Sequence, residues 1–225
     1  MMSSPLPTDA DAPRCVVVVP VKPPAHGKSR LVGLDDEQRR ELAEAFALDT
    51  VQAAVATPGV ARVLVVTDDF RLAASMRALG AEVMPDGASE DLNETLVQAV
   101  AEVVRRWPDA VPVALCADLP GLRPAELAAV LKDVVTQVGA GRSAFVRDRA
   151  GTGTTTYAAP AAQFAPQFGT ESAARHAASG AIEVGASARS MRADVDDLVD
   201  LGAVLVAGVG PHTTRASGRR ATPLG

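Results

Sequence analysis

The chain has 225 residues, 48% of them hydrophobic, with 22 Lys plus Arg against 27 Asp plus Glu and a formal charge of −5. That length and apolar share suffice for one domain with its own core, without disulfides or structural metals as staples. The near-neutral balance excludes the basic field of a general nucleic-acid binder.

Met1 to Pro13 is polar and Pro-rich, with no apolar stretch of the kind a secretory signal needs, and is read as a disordered tail (residues 1–13). Cys15-Val16-Val17-Val18-Val19 is a continuous β-branched run, too short to cross a bilayer and typical of a strand buried on both faces of a parallel sheet. A cytoplasmic protein with no membrane or nucleic-acid partner is expected, and Cys15 and Cys116 read as small buried hydrophobes. After a Pro/Gly-rich loop, Asp35 or Asp36 caps a helix through about Ala56. Val60 to Thr67 is a second strand, ending at Asp68-Asp69, and Leu72 to Leu79 a short helix stopped by Gly80. Ala81 to Met84 is a third strand, and a helix from Leu92 or Asn93 runs to Arg106. Val111 to Ala117 is the fourth strand, and Pro124 suits the first turn of a helix ending near Val138.

This unbroken alternation is the pattern of a parallel α/β sheet with right-handed crossovers. After Ser143 the rhythm changes. Ser143–Arg147 and Thr154–Ala159 read as strands of an antiparallel insertion, followed by a helix from about Glu171 to Ser179 and a last one from Asp197 to Val206. One domain is predicted over residues 14–210. The Gly/Ser/Thr/Pro-rich stretch 211–225, with Arg215, Arg219 and Arg220, is read as a disordered tail.

Four clusters carry chemistry. The loop from Pro20 to Leu31 follows the first strand, where open α/β sheets receive ligands. Its Gly27-Lys28-Ser29 lacks the earlier glycine of a P-loop, since Lys22 stands there. Lys22, Lys28 and Arg30 instead form a cationic loop able to neutralise nucleotide phosphates and a leaving pyrophosphate; ordinary surface charge is the alternative. Asp118 ends an apolar strand before Leu119-Pro120, and Asp194 and Asp196 lie two apart, so in an extended segment they share a face. Such hard oxygen ligands suit Mg²⁺; the alternatives are a turn or cap role for Asp118 and helix N-capping by the Asp194 to Asp197 stretch, a purpose that suits Asp197. Gly151-Thr152-Gly153-Thr154 offers close backbone approach and hydroxyls to an anion. Gly169 to Ser172 precedes a helix whose free amides favour one, with a plain N-cap as the alternative. His176, within that helix, reads as structural or substrate-orienting rather than as a general base.

In this order the motifs are specific. From Val16 to Val209 the chain resembles the guanylyltransferases of deazaflavin (coenzyme F(420)) biosynthesis, through Val21-Lys22, Lys28-Ser29-Arg30-Leu31, Leu92-Asn93, Asp118-Leu119-Pro120, Gly151-Thr152-Gly153-Thr154, Phe168-Gly169 with Ser172, Ala174-Arg175-His176 and Asp194-Val195-Asp196. The resemblance implies a three-layer α/β/α fold of the nucleotide-diphospho-sugar transferase type with a mostly parallel central sheet. It implies GTP, Mg²⁺ and phosphoenolpyruvate or 2-phospho-L-lactate as ligands. Asp118, Asp194 and Asp196 match the metal-binding aspartates, and Thr154, Gly169 and Ser172 the phosphoenolpyruvate contacts. Lys22, Arg30 and Asn93 fall around the nucleotide, and Lys22, Lys28 and Arg30 are expected to act in catalysis. Asp197 and Asp91 depart from the family pattern and add negative charge near the triphosphate.

The expected reaction is attack by the phosphate of phosphoenolpyruvate on the α-phosphorus of GTP, giving enolpyruvoyl-diphospho-5′-guanosine and pyrophosphate. Alternatives are 2-phospho-L-lactate as acceptor, a nucleotidyltransferase for a sugar phosphate or molybdopterin, and a non-catalytic nucleotide-binding module. The oligomeric state stays open.

Overall fold

The structure is a computed structural model and describes residues 15–21, 31, 33–87 and 91–218. Its strands are β1 (Cys15–Pro20), β2 (Val60–Val66), β3 (Glu82–Met84), β4 (Val111–Leu115), β5 (Ala144–Arg147), β6 (Thr154–Ala158) and β7 (Ile182–Glu183). Its helices are α1 (Asp36–Val55), α2 (Phe70–Ala78), α3 (Leu92–Arg106), α4 (Pro124–Gly139), α5 (Ser172–Ala178), α6 (Leu198–Ala207) and α7 (Pro211–Ala216).

The strands form one sheet in the order β3-β2-β1-β4-β6-β5-β7. β1 pairs in parallel with β2 and β4, β2 with β3, and β5 with β7, while β6 is antiparallel to both neighbours. β6 alone therefore runs against the rest. Because β1 is followed in sequence by β2 on one side and neighbours β4 on the other, the order reverses beside β1. The crevice at the carboxyl ends of β1 and β4 is where such sheets bind ligands.

The β-branched run of β1 is buried on both faces, as its sequence predicts. Val17 and Val19 join one core with Val51 of α1, Met76 of α2 and Leu127 and Val134 of α4. Val16 and Val18 join the opposite core with Leu96, Val100 and Val103 of α3 and with Phe145 and Tyr157. This is the three-layer α/β/α arrangement. A third cluster, Leu42, Phe46, Val195, Leu201 and Val204, seats α6 against α1.

Local chemistry fixes the helix ends. Asp35 and Gln38 form a reciprocal capping box on α1. Asp69 caps α2 by accepting from the amides of Arg71 and Leu72, so α2 begins before the expected Leu72. Pro124 occupies the first turn of α4. Asp91 and Asp197, the two acids outside the family pattern, are the N-caps of α3 and α6. Their charge is directed at free helix amides.

Two elements differ from expectation. β7 is only two residues long, too short to leave a pattern in sequence. At the C-terminal side the sequence ends the domain at 210, yet α7 follows and packs on α1. The buried Asp49 of α1 explains this, since its carboxylate accepts from the amides of His212 (3.0 Å) and Thr213 (2.7 Å). Among the described residues no helix is long and apolar enough to cross a membrane.

Candidate active site

Asp118 lies just past β4, and its peptide surroundings are held by a residue with no motif of its own. Thr50, fully buried in α1, bonds through its hydroxyl to the carbonyls of Phe46 (2.8 Å) and Ala117 (3.1 Å) and accepts from the amide of Leu119 (3.1 Å). The peptides on both sides of Asp118 are thereby tied to one helix. Thr50→Val keeps the shape but leaves a buried amide without this acceptor. We expect a stability loss of about 1–3 kcal/mol by chemical denaturation and a fall in turnover at saturating substrate of about tenfold.

The Asp194-Val195-Asp196 segment is built around its middle residue. Val195 is buried in the α1–α6 cluster, and its amide donates to the carbonyl of Asp118 at 3.1 Å. The Asp196 amide donates to Asp200 Oδ2 at 3.2 Å, and Asp200 in turn pairs with Arg149. Asp194 is half-buried and Asp196 exposed. Burial first, then the charges of Asp118, Asp196 and Asp148, push the Asp194 carboxyl up to about 7.

Three carboxylates thus act on Asp194 with one sign, and hard oxygen donors of this kind suit a small divalent cation, which would relieve the repulsion. The fit is one of chemistry and charge. Among the described residues no three acidic, His or Cys side chains are gathered closely enough to hold a metal ion as they stand.

Asp148 went unnoticed in the sequence. It is buried, its Oδ1 accepts from the amides of Gly151 (2.6 Å) and Thr152 (3.0 Å), and its Oδ2 accepts from Gly153 (2.8 Å). The glycine-rich turn does bind an anion through its backbone, but the anion is this internal carboxylate. Approach is so close at Gly153 that a Cβ there would collide with the Asp148 carboxylate. The turn is also tied to the segment leading into Asp194, because Arg192 donates to the Asp148 carbonyl at 3.2 Å.

The residues expected to contact the acceptor come together around α5. Pairing of β5 with β6 slips between Val146 and Arg147, so Val146 faces Thr156 and Arg147 faces Thr154, with Thr155 bulged out. Without the bulge, strand alternation would put Thr155 on the face of Tyr157. With it, Thr155 donates to the carbonyl of Met191 (2.6 Å) on the α4 side, and Thr154 meets His176, which stacks on Tyr157. Re-aiming a side chain is a recurrent use of bulges beside functional sites.

Ser172 and His176 stand one turn apart on α5, and the Ser172 amide donates to the Gly169 carbonyl at 3.1 Å. The amide of Ala173 donates to Thr152 at 3.0 Å, docking α5 onto the 148–153 turn. Thr154, Gly169 and Ser172 are thus brought into one neighbourhood. Gly169 has φ +118°, a conformation that disfavours any side chain.

Asn93 grips the same loop. Its Nδ2 donates to the Phe168 carbonyl (3.2 Å), and its Oδ1 accepts from the Phe168 amide (2.7 Å). Both polar atoms of its amide are engaged there, so a contact with a nucleotide would use the second Nδ2 hydrogen. Lys22, Lys28 and Arg30 lie outside the described residues. A cavity of about 660 Å³ lies alongside, lined by Arg149, Arg192 and Ala193 and by parts of α4 and α6. None of the expected site residues among the described ones lines it.

Residues 15–216 match the family model described as "Guanylyl transferase CofC like". The chain is 49% identical over 206 residues to the phosphoenolpyruvate guanylyltransferase of Streptomyces coelicolor, covering 90% of this chain and 95% of that protein. Among solved structures, a putative nucleotide-diphospho-sugar transferase from Desulfovibrio desulfuricans G20 superposes with a TM-score of 0.63 at 14% identity, over 92% of this chain and 93% of that one. A protein of Mycobacterium tuberculosis H37Rv solved with manganese gives 0.51 at 18% identity, over 86% and 99%.

Proposed function

This chain belongs to the CofC-like guanylyl transferase family, and from that premise we propose that it transfers the guanylyl group of GTP to phosphoenolpyruvate. The products are enolpyruvoyl-diphospho-5′-guanosine and pyrophosphate, and the reaction serves coenzyme F(420) biosynthesis. An oxygen of the acceptor's phosphate forms a bond to the α-phosphorus of GTP as the bond from that phosphorus to the β-phosphate oxygen breaks. The electron pair leaves with pyrophosphate.

The observation that carries this reading is that the charges of Asp118, just past the carboxyl end of β4, and of Asp196 both act on Asp194. The acceptor cluster is tied to the same segment through Asp148, Arg192 and Thr155. Asp118, Asp194 and Asp196 would hold a divalent cation, Mg²⁺ by the chemistry of the donors, and the manganese-bound neighbour agrees with a divalent ion. When bound, the cation supplies charge neutralisation between two anionic substrates.

This chain's own residues do the rest. Thr154, Gly169 and Ser172 bind the acceptor and aim its phosphate. Lys22, Lys28 and Arg30 neutralise the nucleotide's phosphates and the departing pyrophosphate, and Asn93 completes the nucleotide side while holding Phe168. The acceptor phosphate is anionic at neutral pH, so no base is needed. In keeping with that, both ring nitrogens of His176 are already engaged within the protein.

The test is pyrophosphate release by the purified protein with GTP, Mg²⁺ and phosphoenolpyruvate or 2-phospho-L-lactate. Release with phosphoenolpyruvate is expected. Release with 2-phospho-L-lactate alone would move the acceptor assignment, and release with neither would remove the reading.

A further inference from the structure

We propose that His176 is a positioning residue that turns the Thr154 hydroxyl into an outward hydrogen-bond donor, so that Thr154 recognises an anionic oxygen of the acceptor. This rests on the reading of Thr154 as an acceptor contact and goes beyond it by fixing the direction of the bond. The direction follows from one backbone amide. The N–H of Gln167 points at His176 Nε2 at 2.9 Å, and a backbone N–H can only donate. Nε2 must then carry a lone pair, and a neutral imidazole with a lone pair on Nε2 has its hydrogen on Nδ1.

Nδ1 lies 2.9 Å from Thr154 Oγ1, so it donates and Oγ1 accepts. The hydroxyl's own hydrogen has to be spent elsewhere. The opposite arrangement, with Thr154 donating to Nδ1, would put a hydrogen on Nε2 against the Gln167 N–H. An imidazolium would do the same.

The surroundings favour the neutral ring. His176 is fully buried, stacked on Tyr157 with ring centroids 4.6 Å apart and bordered by Phe145 and Phe168, each at 5.7 Å. Burial first, then the charge of Arg175, lower its pKa to about 4, against a smaller opposing effect of the Ser172 backbone. The bulge in β6 completes the device, since it brings Thr154 rather than Thr155 to this ring. A Thr154 hydroxyl held in this way presents its hydrogen to a carboxylate or phosphate oxygen, which accepts, and keeps only one lone pair for a ligand that donates.

The first measurement is on the free protein. Multiple-bond ¹H–¹⁵N correlation spectra of ¹⁵N-histidine-labelled chain, with His176 assigned by its loss in His176→Asn, should show a protonated Nδ1 and a bare Nε2 from pH 6 to 8. A hydrogen on Nε2, or an imidazolium, overturns the proposal. The second is kinetic. His176→Leu should raise KM for phosphoenolpyruvate by about tenfold and leave KM for GTP within about twofold. His176→Asn, whose amide can again donate to Oγ1, should recover most of the loss.

The double variant with Thr154→Val should be no worse than Thr154→Val alone. Equal rises in both KM values, additive losses, or an Asn variant as poor as Leu would overturn the proposal. If His176→Leu does not fold, the spectra and the Asn variant still decide. Thr154→Val with an unchanged acceptor KM would remove the reading of Thr154 as a contact, whatever the tautomer. Thr154→Val raising that KM while His176→Leu does not would overturn the positioning role alone.

Discussion

Asp118→Asn is expected to lower turnover by at least about a thousandfold while the protein keeps its fold and its thermal transition within a few degrees. The substitution is nearly isosteric and sits past the end of β4, where Thr50 and the Val195 amide hold the backbone on both sides. What it removes is one of the negative charges acting on Asp194. The reaction brings a triphosphate and a phosphate monoester together, and without a cation their repulsion stands in the way. Kinetics over a range of Mg²⁺ concentrations, with circular dichroism of the variant, check the expectation. Near wild-type turnover would mean that Asp118 holds no metal.

The metal-free protein is expected to pay a stability cost at Asp194 that grows as pH rises from about 4 to about 7. The carboxyl's pKa goes up on folding from 3.8 to about 7, through burial and then the charges of Asp118, Asp196 and Asp148. Between those values the folded chain holds a proton that the unfolded chain has released, so acid favours folding and raising the pH removes the advantage. At about 1.4 kcal/mol per unit the whole effect is on the order of 4 kcal/mol, complete just above pH 7.

His176 acts in the opposite sense. Its pKa falls from 6.5 to about 4 on folding, so its contribution is full above about 6.5 and lost as pH falls towards 4. The two slopes oppose each other over much of the range, and the informative quantity is the difference between wild type and Asp194→Asn, in which the histidine cancels. Urea denaturation should show the Asn variant gaining on wild type from pH 4.5 to 7.5. Mg²⁺ added to wild type at pH 7.5 should restore the stability, and its binding at pH 6, where Asp194 still holds its proton, should release one. Parallel pH profiles would contradict the grouping of carboxylates.

What the sequence made legible follows from the range of the interactions. The buried strands were readable because Val16 to Val19 and Val63 to Val66 carry their burial in their own composition. The capping acids Asp35 and Asp197 act within three residues. The parallel strands with their helices, and the antiparallel pair β5–β6, followed from such local signals.

What escaped depends on long-range partners. Thr50 looks like any helix threonine until Leu119, 69 positions away, donates to it. Asp49 looks like a surface acid until the amides of His212 and Thr213, more than 160 positions away, require it, and with it α7.

The glycine- and threonine-rich motif was visible in its residues but not in its wiring. Gly151 and Gly153 signalled an anion, and nothing local distinguished a substrate from Asp148 four residues before Thr152. Thr154 stood out as a hydroxyl of this motif, yet its direction depends on a one-residue slip against β5, which no strand pattern displays. Asp194 and Asp196 were visible as a spaced pair. That Val195 between them anchors the segment in the α1–α6 cluster was not.

In a single direct transfer the acceptor's phosphate oxygen becomes the bridge to guanylyl phosphorus. Phosphoenolpyruvate labelled with ¹⁸O in its nonbridging phosphate oxygens, turned over with unlabelled GTP and Mg²⁺, follows that oxygen. The guanylylated product should retain all the label, with one labelled oxygen between the two phosphorus atoms, and pyrophosphate should be free of ¹⁸O. Labelled pyrophosphate, or a product whose bridging oxygen came from GTP, would contradict direct transfer.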